Sequence, residues 1–128
     1  MSEPEGLTLF ELVGGRQWFV DLVDRFYDSV AEDPVLQPMY PDDLTDSRAH
    51  MTGFLVQYWG GPATYSEERG HPRLRMRHAP FAIGPAERDA WLGHMVAAVD
   101  AADLPAEAAA AVRDYFVNAA AHMINQPS

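Results

Sequence analysis

The chain has 128 residues, 48% of them apolar and 11% aromatic, which excludes a disordered polymer and suits a single domain over 1–128 with a real core. Nineteen acids face nine bases, for a formal net charge of −10, so neither nucleic acid nor an anionic membrane is an expected partner. Cysteine is absent, which removes disulfides, thiolate metal sites, iron–sulfur clusters, cysteine nucleophiles and thioether-linked cofactors together.

Leu7 to Val13 suit one or two helical turns, closed by Gly14-Gly15. Phe19, Leu22, Val23, Phe26, Tyr27 and Val30 then recur at steps of three and one, the apolar stripe of an amphipathic helix of about 15 residues. Asp33-Pro34 reads as an N-cap with proline at the first helical position, opening a short helix that ends near Tyr40-Pro41. Asp46 or Ser47 is the expected cap of the next helix, which carries Met51, Phe54, Leu55 and Tyr58 and stops at Gly60-Gly61-Pro62. Ala63 to Gly70 reads as a polar loop. Pro72 starts a two-turn helix that Pro80 forbids to continue. Gly84-Pro85, with Glu87 behind, opens a helix with Trp91, Leu92, Met95, Val96 and Val99. Asp103 to Pro105 opens the last, with Ala108, Val112, Tyr115, Phe116, Ala119 and Met123. No run alternates at period two long enough for a sheet, so the expected class is all-α, with helices crossed around a core.

The chemistry concentrates between Tyr58 and Phe81. All nine bases are arginines, and Arg69, Arg73, Arg75 and Arg77 fall in this run with no acid among them. His78 ends it, just before Pro80. Any of the five histidines (His50, His71, His78, His94, His122) is by default a surface residue or a satisfied core residue. His78 rises above that default. It follows Leu74 by four positions, on the same helix face, and its second ring nitrogen can donate to the Leu74 carbonyl, which makes the other a better ligand. One axial histidine beside arginines suits haem, which offers an iron for the imidazole and two propionates for the guanidinium groups. The competing reading of Arg73 and Arg77 is a solvated basic face.

Tyr58-Trp59-Gly60-Gly61-Pro62, Tyr65-Ser66-Glu67 and Gly70-His71-Pro72-Arg73-Leu74-Arg75-Met76-Arg77-His78-Ala79-Pro80-Phe81 carry a family resemblance. Gly14-Gly15, Arg25-Phe26-Tyr27, Tyr40-Pro41 and Glu87-Arg88-Asp89-Ala90-Trp91 add to it. Over about Leu7 to Asn125 the chain resembles a truncated haemoglobin of group II, a short globin with a two-over-two helical sandwich around a non-covalent haem b. The resemblance implies that His78 is the proximal iron ligand and that Arg77 and Tyr65 meet the propionates. It implies that Tyr27, Tyr40 and Trp91 are the distal residues facing a bound ligand. Phe54, Met51 and Leu55 would line the distal helix, and Met76 and Phe81 would also contact the macrocycle. Ser47 stands where many globins place a distal histidine, which leaves a path from solvent to iron. Met51 brings a soft sulfur donor, so a six-coordinate resting state stands beside the five-coordinate one. His50 falls where relatives often have a basic propionate partner, with solvent exposure the other reading. Taken alone, Trp91 and Tyr27 read as a core tryptophan and a buried helix tyrosine.

Three functions compete. The first is a haem protein that binds oxygen, CO and NO, with phenol and indole donors holding the ligand. The second is a haem enzyme, a peroxidase or nitric oxide dioxygenase, with Tyr27, Tyr40 and Trp91 as catalytic candidates. It needs a separate reductase, because the chain carries no flavin or nicotinamide domain. The third, ranked last, is a haem-free helical interaction module. No stretch approaches the roughly 20 apolar residues of a membrane span, and the acidic start lacks a secretory pattern. A cytoplasmic protein is expected, a homodimer if it assembles at all.

Overall fold

The structure is a computed structural model that describes residues 8–63 and 83–123. Its first element is set by two neighbours along the chain. The Thr8 hydroxyl accepts the Glu11 N–H at 3.2 Å, and the Glu11 carboxylate accepts the Thr8 N–H at 3.0 Å, a reciprocal capping box. It opens α1, Leu9–Leu12. Gly14 and Gly15 then turn the chain at φ of 85° and 107°, conformations that a side chain resists. The Phe10 N–H donates to the Trp59 carbonyl at 3.0 Å, which pins α1 to the far end of the α3 helix, Thr45–Tyr58.

Helix α2, Arg16–Val30, buries the whole predicted stripe: Phe19, Leu22, Val23, Phe26, Tyr27 and Val30. The next stretch departs from expectation. Asp33 Oδ1 does accept a backbone N–H, from Val35 at 2.8 Å, but no α-helix follows. Turns lead to a three-residue 3-10 helix, Gln37–Met39. The reason is Pro38, which would sit inside any α-helix begun at Pro34 and has no N–H to give it. Helix α3 also differs at its start. Leu44 is its N-cap, and the Asp43 carboxylate accepts the Thr45 N–H at 2.9 Å, so neither Asp46 nor Ser47 caps it. Asp46 lies in the first turn instead, where its charge favours the helix N-terminus. The helix stops as predicted, with Gly60 at φ 99°.

Helix α4, Pro85–Asp100, begins as its sequence predicts. Pro85 takes the first position, and Glu87 accepts the Gly84 N–H at 2.8 Å. Helix α5, Ala106–Met123, turns Ala109, Val112, Phe116 and Ala120 inward. Helix α2 packs on α3 and on α4, and α4 packs on α5, giving two helix pairs laid against each other. Phe19, Phe26, Leu22, Leu55, Met95 and Phe116 are fully buried where they meet. Among the described residues there is no strand, and no helix is long and apolar enough to cross a membrane. This is the all-α, two-over-two arrangement expected. The loop expected after Ala63 and the helix expected from Pro72 lie outside the described residues.

Candidate functional site

The four long helices and the turn between α2 and α3 line a half-open cavity of about 290 Å³. Each element contributes for a local reason. Tyr27 is the cavity-side member of the α2 stripe. Leu36, Met39 and Tyr40 come from the turn that Pro38 keeps out of α-helix. Ser47, His50, Met51, Phe54 and Leu55 follow at helical spacing along α3, Trp91 comes from α4, and Tyr115 and Phe116 come from α5. The sequence-predicted Tyr27, Tyr40, Ser47, Met51, Phe54, Leu55 and Trp91 are thus brought to one cavity. His50 joins them at its lining. His78, Arg77, Tyr65, Met76 and Phe81 lie outside the described residues.

The polar groups gather at one phenol oxygen. The Tyr27 and Tyr40 rings meet edge to face, 5.6 Å apart at 85°. Burial pushes the Tyr40 phenol up from its ordinary value, and hydrogen bonds from Trp91 and Tyr27 pull it partway back. Burial pushes Tyr27 up further, helped by Tyr40 and opposed by Arg48. The Trp91 N–H can only donate, so in its bond with Tyr40 the phenol oxygen accepts. Tyr40 keeps an O–H of its own that it can donate. Tyr27 and Tyr40 stay protonated at physiological pH, so with the Trp91 N–H they present uncharged donors.

Supports that the sequence did not reveal hold these groups in place. Phe26 wedges Trp91 edge-on, with ring centroids 5.2 Å apart. The Arg48 guanidinium lies 5.8 Å from the Tyr27 ring centroid. It also binds the carboxylates of Asp24 at 3.1 Å and Asp28 at 2.9 Å, tying α3 to α2. His94 Nε2 meets Asp33 Oδ2 at 2.6 Å, tying the turn that carries Tyr40 to the helix that carries Trp91. Tyr115 and Phe116 were visible only as members of an apolar stripe, which does not distinguish a cavity wall from a core.

The donor set suits a flat apolar macrocycle that presents a small acceptor to one face. Phe54, Leu55, Met51 and Phe116 give apolar walls, Tyr27, Tyr40 and Trp91 bring uncharged donors, and Glu87 and Arg88 also line the cavity. Such a ligand would satisfy the spare Tyr40 hydrogen, which costs free energy if buried without an acceptor.

Comparison with known proteins decides the family. The family model described as "Bacterial-like globin" matches residues 8–125. A group 2 truncated hemoglobin of Bacillus subtilis is 44% identical over 116 residues, covering 88% of this chain and 85% of the relative. The chain belongs to the group II truncated haemoglobins. Among solved structures, the group II truncated hemoglobin from Bacillus anthracis superposes with a TM-score of 0.92 at 42% identity, over 99% of this chain and 96% of that one. A thermostable hemoglobin from the actinobacterium Thermobifida fusca gives 0.92 at 54% identity, over 95% and 100%. Members of the globin family bind haem without a covalent bond, haem b typically. Haem-based oxygen binding follows as the function of this truncated haemoglobin.

Proposed function

We propose that this truncated haemoglobin binds oxygen reversibly, and CO and NO at the same position, with Tyr40 as the direct donor to the ligand. Bound haem supplies an iron that takes one diatomic molecule. In this reading His78 would ligate the iron, Arg77 and Tyr65 would hold the propionates, and Met76 and Phe81 would contact the macrocycle. Tyr27 and Trp91 aim the Tyr40 hydroxyl and keep its hydrogen turned into the cavity. Phe54, Leu55 and Met51 exclude water from the distal side, while the small side chain of Ser47 leaves the entry route. The observation that carries the reading is that Tyr27, Tyr40 and Trp91 come together on one cavity with Phe54, Leu55 and Met51. A ligand held by a donor in a dry pocket leaves slowly, which suits storage, sensing or chemistry better than bulk delivery.

Oxidisable phenols on the cavity wall favour a second activity on the same site, as a peroxidase or nitric oxide dioxygenase supplied with electrons by a separate reductase. The protein would act in the cytoplasm, as a homodimer if it assembles. The test is one absorption series of ferric, ferrous, oxygen-bound and CO-bound protein, for the wild type and His78→Gly. The glycine variant should lose the axial imidazole signature and regain it with added imidazole. An unchanged ferrous spectrum in His78→Gly would remove His78 from the proximal role.

A further inference from the structure

Tyr58, which opens the Tyr-Trp-Gly-Gly-Pro stretch, plays no part in the site described above, yet it ends a line of rings that starts at the cavity. Tyr115 lines the cavity. The Tyr58 ring lies against it, with centroids 4.4 Å apart at 36°. Tyr58 is 52% exposed, one of four large apolar or aromatic side chains so placed among the described residues. Trp59 braces both rings edge-on, 5.1 Å from Tyr58 and 4.9 Å from Tyr115. Two readily oxidised phenols in contact, one facing the pocket and one facing solvent, make a path for single electrons. Phe54 is also near Tyr58, at 6.2 Å, but a phenyl ring is much harder to oxidise.

We propose that Tyr115 and Tyr58 form a conduit through which donors too large for the cavity, phenols and aromatic amines, deliver electrons to the haem pocket during peroxide reduction. The inference rests on the haem-binding reading and names the substrate class and docking point of its second activity. The overall change balances. Hydrogen peroxide takes two electrons and two protons and becomes two waters, and two donor molecules each lose one electron and one proton and leave as radicals. Tyr115 passes an electron towards the pocket and recovers one from Tyr58. Tyr58 releases its phenolic proton to water as it is oxidised, then takes an electron and a proton back from a donor at the surface. The resting place of the oxidising equivalent follows from solvation. A tyrosyl radical is stable only once its proton has left, and burial pushes the Tyr115 phenol up to about 12. Tyr58 meets water directly and can lose its proton, so the radical collects there.

The experiment treats ferric holoprotein with hydrogen peroxide in the presence of a nitroso spin trap and maps the adduct by mass spectrometry after proteolysis. The wild type should carry the trap on Tyr58. Tyr115→Phe, which keeps the ring and its packing, should lower the Tyr58 adduct several-fold. Tyr58→Phe should abolish it and slow oxidation of a bulky phenol several-fold, while CO binding stays at the wild-type value. Label on Tyr27, Tyr40 or Trp59 with none on Tyr58 overturns the proposal, and so does Tyr58 labelling that Tyr115→Phe leaves unchanged. The two levels fail differently. A protein that takes up no haemin removes the haem reading itself, whereas one that binds haemin and CO but leaves Tyr58 unlabelled removes only the conduit.

Discussion

Tyr40→Phe isolates the donor on which ligand retention is argued to depend. The substitution keeps the ring, so the edge contact with Tyr27 at 5.6 Å and the shape of the wall survive. Only the hydroxyl goes. A hydrogen bond whose loss leaves a buried partner unsatisfied costs about 1–3 kcal/mol. At about 1.4 kcal/mol per factor of ten, oxygen should leave the ferrous protein roughly 5- to 150-fold faster. Tyr27→Phe and Trp91→Phe keep the Tyr40 hydroxyl and lose only its orientation, so each should accelerate release by less. The assay is stopped-flow displacement of oxygen by CO, run on all three variants. CO is the weaker hydrogen-bond acceptor, and its own release should change little. Two results would refute the reasoning: wild-type release from Tyr40→Phe, or a larger acceleration from Trp91→Phe than from Tyr40→Phe. The second would mean that the indole N–H reaches the ligand itself.

Other perturbations test the supports. The Asp33 carboxyl is held below its ordinary range, first by His94 and then by the Val35 N–H. A depressed folded value contributes stability above the unfolded carboxylate range near 3.9 and loses it as pH falls through the folded value. Asp33→Asn should therefore lower the urea midpoint at neutral pH and flatten the loss of stability below about pH 4; a parallel acid limb in both proteins would remove Asp33 as its source. Arg48→Met removes ties to Asp24 and Asp28, whose side chains are 50% and 72% exposed, so the cost should stay near about 1 kcal/mol and shrink as salt is added. Gly60→Ala should destabilise by about 1–3 kcal/mol in the same titration. A Cβ there would sit 2.4 Å from Thr8 Cβ on a backbone at φ 99°.

Much of the fold was legible because local rules agreed with one another. In α2 a six-residue stripe at helical spacing went unchallenged by any breaker, and in α4 glycine, proline and glutamate stood in their capping order. The stretch from Asp33 to Tyr40 departs from expectation because Asp33 is a good cap, whereas Pro38, five residues on, denies the helix a bond. Helix α3 starts earlier than expected because the Asp43 carboxylate holds the Thr45 N–H from outside the run of helix formers. At the site, Tyr27, Tyr40 and Trp91 were named through the family likeness. Taken singly each has an ordinary core explanation, and only the fold shows the three gathered on one cavity. The His94–Asp33 bond joins residues 61 positions apart, and no spacing rule reaches that far. Tyr115 appeared in its stripe, but periodicity says which face is inward and not whether that face meets a void.

Helix α1 is too short to persist alone. Its Phe10 N–H is held by the last carbonyl beyond α3, and its Thr8 side chain fills the space that a glycine at position 60 leaves. Neither partner can come loose without the other. The amide hydrogens of this first turn and those closing α3 should therefore exchange with heavy water at one common rate, as a single unit of local opening, although nearly forty per cent of the chain separates them.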